Sequence, residues 1–474
     1  MSLSKKVAYN TIIQVASKAV SVLLGLALVA IIARYLGRSG FGEYTTIFTF
    51  ASFFAIIADF GMTLVTTQMI SVVGVDKDKT ISNLLGLRLF SAIFFLSLAP
   101  IFSLFFPYNN TIKIGVGITS LSLFFVALNQ ILIGLFQKEL RMDMAAFSDV
   151  IGRVFLLVGS YFACRGDFGI IWILAAAVFS TFITFFINYY FSSKFIKIKF
   201  SFDFIVWKEI ISKSWPLGVT IFFNLIYLKA DTFLLSLFKT QAEVGLYGAA
   251  YKVVDVLITI PFMFAGIALP IITSTWNEGI EKKFRRVVQK SFDAMVILAL
   301  PIFFGTQYVA RDLMVLAGGQ EFVESGVILK ILIAAASIIF VGTVFSHIVI
   351  AVDRQKSIIK GYAFTALTSL IGYLIFIPRY SYFGAAYVTV YSEFMIAAFN
   401  IFLVWQVTKY VPSLKIFFKS LFSSFLMMLS LNYFVESNNF FISLIIAPVV
   451  YFLILYLLGG LKFLFWKNEK VFNY

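Results

Sequence analysis

Fourteen long apolar runs, each closed off by a cluster of charged or turn-forming residues, constrain this chain more than any other feature. They fall at residues 10–36, 43–73, 81–106, 113–137, 144–164 and 168–191, then at 215–238, 244–275, 284–308, 322–352, 358–377, 384–408, 414–435 and 440–465. An α-helix needs roughly 20 apolar residues to cross bilayer hydrocarbon, whereas membrane-barrel strands are about ten residues of alternating character. A chain of 474 residues that is 61% hydrophobic and 13% charged has too little polar surface to cover a water-soluble globule. The expected fold is therefore an all-α polytopic membrane protein with about 14 transmembrane helices and no soluble domain.

The runs group as six, six and two. Residues 1–191 are expected to form an N-terminal six-helix bundle and 215–408 a C-terminal one. Between them, 192–214 reads as a cytoplasmic basic and amphipathic connector, in which Phe202, Phe204, Ile205, Trp207, Ile210 and Ile211 lie among Lys199, Lys208 and Lys213. Residues 409–474 add a further helix pair and a short basic tail. A weak internal repeat supports the grouping. Phe41-Gly42-Glu43-Tyr44 is echoed by Val244-Gly245-Leu246-Tyr247 at an offset of 203, which also brings Lys5 onto Lys208. Six helices separate the copies, so both enter the membrane in the same sense, as in a parallel repeat about an axis along the bilayer normal.

A net charge of +15 would point to nucleic acid in a soluble protein. Here its placement is topological. With the amino terminus in the cytoplasm and residues near run ends counted with the adjoining segment, 25 of 38 Lys and Arg fall in cytoplasmic segments, seven in outer ones and six within spans. That imbalance fits an even helix count with both termini inside. Nucleic acid is not an expected partner. The first run continues through Gln14 and Lys18 to Ile32 without a cleavage pattern, so it reads as a retained helix rather than a signal peptide. One cysteine, Cys164, and one histidine, His347, exclude an internal disulfide and a multi-histidine metal centre.

Charge inside the membrane is costly, and such residues usually face protein or a water-filled cavity. Asn10, Gln14, Lys18, Ser21 and Gly25 share one face of the first helix, and Thr45, Thr49, Ser52 and Asp59 one face of the second. In the seventh run Asn224 and Asp231 share a face, with Lys229 displaced from it. In the eighth, Tyr247, Tyr251 and Asp255 form a stripe, with Lys252 in reach of Asp255. Asp149 and Arg153 are spaced for an ion pair, and Glu393 completes the set. Arg88 and Lys330, near span ends, are expected to snorkel to the interface, and His347 to be a hydrogen-bonded packing residue.

The run from Arg34 to Tyr44, followed by Asp59-Phe60-Gly61, resembles the start of polysaccharide-transport flippases of the MOP (multidrug/oligosaccharidyl-lipid/polysaccharide) superfamily. Asp231 to Tyr247, with Ala249-Ala250-Tyr251-Lys252, is similar to that family's second copy of the pattern. The resemblance implies two bundles around a central cavity, alternating access, and export of an undecaprenyl pyrophosphate-linked oligosaccharide across the cytoplasmic membrane for surface polysaccharide such as O-antigen. Glycan polymerases and glycosyltransferases would be its partners. Lys18, Arg153, Lys229 and Lys252 are the candidate head-group contacts, because charge-assisted hydrogen bonds can replace the hydration of a pyrophosphate. Gln14, Asp59, Asn224, Asp231, Tyr251, Asp255 and Glu393 are candidates to line the cavity, hold those cations or bind a coupling H+ or Na+. No resident cofactor is expected. An ion-coupled multidrug or metabolite antiporter of the same superfamily and a membrane polysaccharide polymerase or ligase are the rival readings. The first would favour a net acidic cavity and the second a long outer loop, whereas the longest outer segment, 309–321, is short. No phosphate-binding Gly-rich loop is present for ATP.

Overall fold

A computed structural model describes residues 3–71, 76–197, 199–434 and 440–461, so the ends of the second, thirteenth and fourteenth runs and the basic tail lie outside the described residues. It is helical throughout: α1 (Leu3–Asp59), α2 (Met62–Ser71), α3 (Lys77–Ser103), α4 (Asn110–Lys138), α5 (Met142–Arg165), α6 (Ile170–Ser192) and α7 (Phe204–Phe238). Then come α8 (Gln241–Leu257), α9 (Thr259–Asn277), α10 (Glu281–Gly318), α11 (Ser325–Ala351), α12 (Gln355–Thr408), α13 (Lys415–Phe434) and α14 (Phe440–Leu457). Among the described residues, nine helical stretches are long and apolar enough to cross a membrane.

The correspondence with the fourteen runs is close, but the helix ends are redistributed. α1 carries the first two runs and turns at Gly37, whose φ of 63° is left-handed backbone that favours glycine. α12 likewise carries the eleventh and twelfth runs across a turn at Ser381, just after Pro378. Two runs that read as unbroken helices are interrupted. The second breaks at Phe60 and Gly61, both with positive φ. There Asp59 accepts from the N–H groups of Gly61 at 3.2 Å and Thr63 at 3.3 Å, capping the start of α2. The eighth breaks at Ile258, between α8 and α9. Pro261 has no N–H to offer the Leu257 carbonyl one turn earlier.

Elsewhere the ends follow local chemistry. Asp76, Asn109 and Asp203 cap α3, α4 and α7 with their side-chain oxygens. The connector docks on α3: Ser201 N–H donates to the Ser82 carbonyl at 3.0 Å and Asp203 N–H to Asn83 Oδ1 at 2.9 Å. The first residues of α7 leave Phe204 and Ile205 76% and 84% exposed beside Lys208, the pattern of a helix lying at a membrane surface.

The chain forms two compact units, with the division falling inside α8. One holds Met1–Ala249, Ala317–Glu321 and Tyr373–Ala385; the other holds Ala250–Leu316, Phe322–Gly372 and Ala386–Tyr474. In the first, α4 packs on α3 and α6, and α5 on α1 and α6. Its interior includes Met62, Ile81, Leu84, Leu128, Leu135 and Trp207. In the second, Phe292, Val296, Phe340, Val344, Ile348 and Val404 form the core. There Tyr451 of α14 fastens the last helix pair, donating to the Ile297 carbonyl at 2.8 Å and lying 2.7 Å from Ser420 Oγ. Exposed phenylalanines such as Phe94, Phe105 and Phe162 suit a lipid surround, where apolar exposure carries no hydration penalty.

Candidate functional site

The two copies of the Gly-containing motif meet each other within the first unit. A Cβ on Gly42 would stand 1.7 Å from the Gln241 carbonyl oxygen, and a Cβ on Gly245 would stand 1.9 Å from that of Arg38. Those two contacts exchange under the offset of 203, since Arg38 maps onto Gln241 and Gly42 onto Gly245. Gly42 and Gly245 also touch each other, as do Thr45 and Gly248, and each of these pairs maps onto itself. Self-paired contacts one helical turn apart mark a local twofold axis running along the two helices, the geometry of an isologous contact. The register read from three short similarities is therefore the register of the packing.

Polar contacts surround this crossing. Glu321 accepts from Arg38 N–H at 3.1 Å. Thr46 donates to Gln241 Oε1 at 2.7 Å, and Asn109 to Glu43 at 2.6 Å. Ser381 donates to Glu243 at 2.6 Å, and Lys239 Nζ to the Pro378 carbonyl at 3.0 Å. Arg38, Lys239 and Glu321 fall in segments that the charge pattern predicts on the outer side, and these contacts gather them at one end of the first unit.

Asp59 is committed to a partner that was expected elsewhere. Arg88 does not reach the interface: it is 1% exposed, and its Nη1 lies 2.6 Å from Asp59. The same guanidinium donates to the carbonyls of Ala127 at 3.1 Å and Ala58 at 3.3 Å, and to Gln130 Oε1 at 2.5 Å. Thr63 bonds both Asp59 and Gln130. The break at Phe60 and Gly61 is what makes the site, because it frees the Ala58 carbonyl that Arg88 and Ser91 then share. Burial of so large a cation is tolerable only with this full set of partners.

Asp231 is wholly buried, and its carboxylate accepts from Tyr247 at 2.7 Å and from Thr232 N–H at 2.5 Å. It thus joins α7 to α8 rather than facing open space. Lys229, half-buried, lies within electrostatic reach of it. Asn224 is on α7, with its side chain outside the described residues.

The remaining candidates are scattered. Gln14 is exposed and Lys18 half-exposed on α1. Arg153 pairs with Asp149 at 3.0 Å, and Ser21 donates to Asp149 at 2.7 Å, so this partly exposed pair ties α5 to the polar face of α1. Lys252 stands 3.8 Å from Asp255, both about one-third to two-fifths exposed, with Tyr251 half-buried beside them on α8. Glu393 is buried in the second unit within electrostatic reach of Tyr362, whose hydroxyl bonds Asn400. On the same two arms of α12, the buried Thr365 Oγ1, Ser369 Oγ and Asn400 Oδ1 have no hydrogen-bond partner among the described residues. His347 bonds the Thr343 carbonyl at 2.8 Å, as a packing residue would.

Sequence reasoning did not find the trio Asn129, Ser148 and Asn188, the last two buried, joined at 2.5 and 2.6 Å across α4, α5 and α6. Lone polar residues in three different runs carry no spacing signal. The second unit also holds an apolar groove of about 700 Å³ among α10, α11 and α12, lined by Val296, Leu300, Val341, Phe394, Ile401 and Trp405.

Comparison with known proteins gives the following. The sequence model of a family described as polysaccharide biosynthesis protein matches residues 31–327. In Haloferax volcanii, the probable low-salt glycan biosynthesis flippase Agl15 is 22% identical over 166 residues, 35% of each chain. The probable flippase AglR is 24% identical over 169 residues, again 35% of each. The match thus spans about a third of the length of these curated relatives. Among solved structures, the lipid II flippase MurJ in an inward closed conformation superposes with a TM-score of 0.79 at 17% identity, covering 97% of this chain and 100% of that one. An inward-facing multidrug resistance MATE family transporter of the MOP superfamily gives 0.67 at 14% identity, covering 84% and 98%. At such identities the likeness is one of fold, and the fold is the one implied by the resemblance at Arg34 to Tyr44.

Proposed function

We propose that this chain, which belongs to the polysaccharide biosynthesis protein family, is a flippase that carries a lipid-linked oligosaccharide of the undecaprenyl pyrophosphate class from the cytoplasmic to the outer leaflet. It is a transporter rather than an enzyme, working by alternating access between bundles 1–191 and 215–408. The observation that carries this reading is the family match over 31–327, which spans both copies of the motif. The names of the Haloferax relatives and of the lipid II flippase support it; the antiporter alternative draws on a likeness of lower TM-score.

The geometry supports a cargo with an anionic head and an apolar tail. Lys18, Arg153, Lys229 and Lys252 are all partly accessible, so each can offer a pyrophosphate charge-assisted hydrogen bonds. The apolar groove gives the prenyl chain a surface to follow. Glu393 is the best-placed acid for a coupling ion, since Thr365, Ser369 and Asn400 keep oxygens without partners on the same arms of α12. Asp59 and Asp231 hold structure instead. The charge bias supports a place in the cytoplasmic membrane with both termini inside.

Cells lacking this chain should accumulate lipid-linked oligosaccharide that a membrane-impermeant lectin cannot reach. Lys229→Ala and Lys252→Ala should each abolish surface glycan at unchanged membrane level. Full export with both lysines replaced would remove them from the cargo path, and lectin-accessible lipid-linked glycan in the null strain would sink the flippase reading.

A further inference from the structure

The arms of α12 enclose, near the N-terminus of that helix, a pocket of about 610 Å³ that the transport reading does not use. Its polar lining is Arg354, Ser357, Lys360 and Gln406; its apolar lining includes Phe399 and Phe402. Neither Arg354 nor Lys360 is in a salt bridge among the described residues. Lys356 and Lys409 add two further exposed cations near the ends of α12, where Asp353 is an exposed acid. The first turn of α12 has no side-chain cap on its N–H groups.

Two unpaired cations, a hydroxyl and an amide around one concavity fit a phosphate monoanion. The surroundings say how such a phosphate arrives. Phe402, Phe364 and Leu367 on the flanking arms are 56%, 49% and 60% exposed, so the pocket opens among lipid-facing side chains. It also sits where α11 turns into α12, a turn that the charge pattern places at the cytoplasmic surface, and basic pockets between transmembrane helices on that side bind anionic head groups.

We propose that this pocket is a binding site for the head group of an anionic bilayer phospholipid, with Arg354 and Lys360 holding the phosphodiester, Ser357 and Gln406 its ester or glycerol oxygens, and the acyl chains lying along Phe402 and Phe364. The lipid acts as a resident ligand that bridges the two arms of α12, separate from the transported cargo.

The test is native mass spectrometry of the full chain in detergent, titrated with phosphatidylglycerol and phosphatidylcholine of identical acyl chains. The wild type should retain phosphatidylglycerol preferentially, and Arg354→Ala/Lys360→Ala should lower that preference by about tenfold or more. Arg354→Lys/Lys360→Arg should keep it, which separates lost charge from lost fold. Equal retention of the two lipids by the wild type, or an unchanged preference in the double alanine variant, overturns the proposal. So does displacement of phosphatidylglycerol by undecaprenyl diphosphate at equal concentration, which would assign the pocket to the cargo. Displacement by inorganic phosphate at millimolar concentration would show a free-anion site and overturn it equally.

Discussion

Gly42→Ala and Gly245→Ala are each expected to deplete folded protein from the membrane, with a loss of about 3 kcal/mol or more in stability. The added methyl would lie 1.7 Å from the Gln241 carbonyl oxygen in one case and 1.9 Å from that of Arg38 in the other. Both obstacles are backbone, so no rotamer change relieves the overlap, and the two helices must separate along their whole line of contact. Because the contacts exchange under the repeat, the two variants should be affected alike. The double variant should lose less than the sum, since once the helices part the second methyl meets nothing. Gly266→Ala is the control: nothing lies within 4 Å of a Cβ there, and alanine favours the helix. Membrane level by fluorescence-detected gel filtration and the unfolding temperature of purified protein supply the measurement. Wild-type stability in both glycine variants would mean that the crossing at Gly42 and Gly245 is not part of the stable fold.

The same crossing shows how much was legible beforehand. Run length and turn chemistry gave fourteen segments, because a bilayer forces every backbone polar group into a helix of nearly fixed length. The repeat was visible at Gly42 and Gly245 because close helix contact restricts side-chain size at those positions, which leaves a trace in sequence. The breaks at Phe60 and Ile258 were not visible. A run of apolar residues looks the same whether or not an aspartate one turn earlier turns back to cap a new helix, as Asp59 does. Partners were the least legible. Asp231 shares a helical face with Asn224, yet what fixes its environment is Tyr247 on the following helix. Helical spacing reports faces, and the identity of the neighbour on that face is a tertiary fact.

Arg88→Ala is expected to be as damaging as the glycine variants, but for a reason that a second substitution can undo. It would leave the Asp59 carboxylate, the Ala58 and Ala127 carbonyls and Gln130 Oε1 without their shared donor at a position 1% exposed. Removing one member of a buried pair typically costs about 3–5 kcal/mol, whereas replacing both by neutral groups of similar shape is often close to neutral. Arg88→Gln/Asp59→Asn should therefore recover most of the membrane level lost in Arg88→Ala, since Gln can still donate to a freed carbonyl and Asn can still accept from Gly61 and Thr63. Surface glycan decides what the pair is for. If Asp59 only holds the break between α1 and α2, the double variant should export glycan in proportion to its membrane level. If Asp59 binds the coupling ion, the double variant should reach the membrane and export nothing, because the charge that binds the ion is gone. The geometry favours the first result: Arg88 and both the hydroxyl and the N–H of Thr63 already crowd Oδ1, Gly61 N–H holds Oδ2, and a cation would have to settle beside the Arg88 charge.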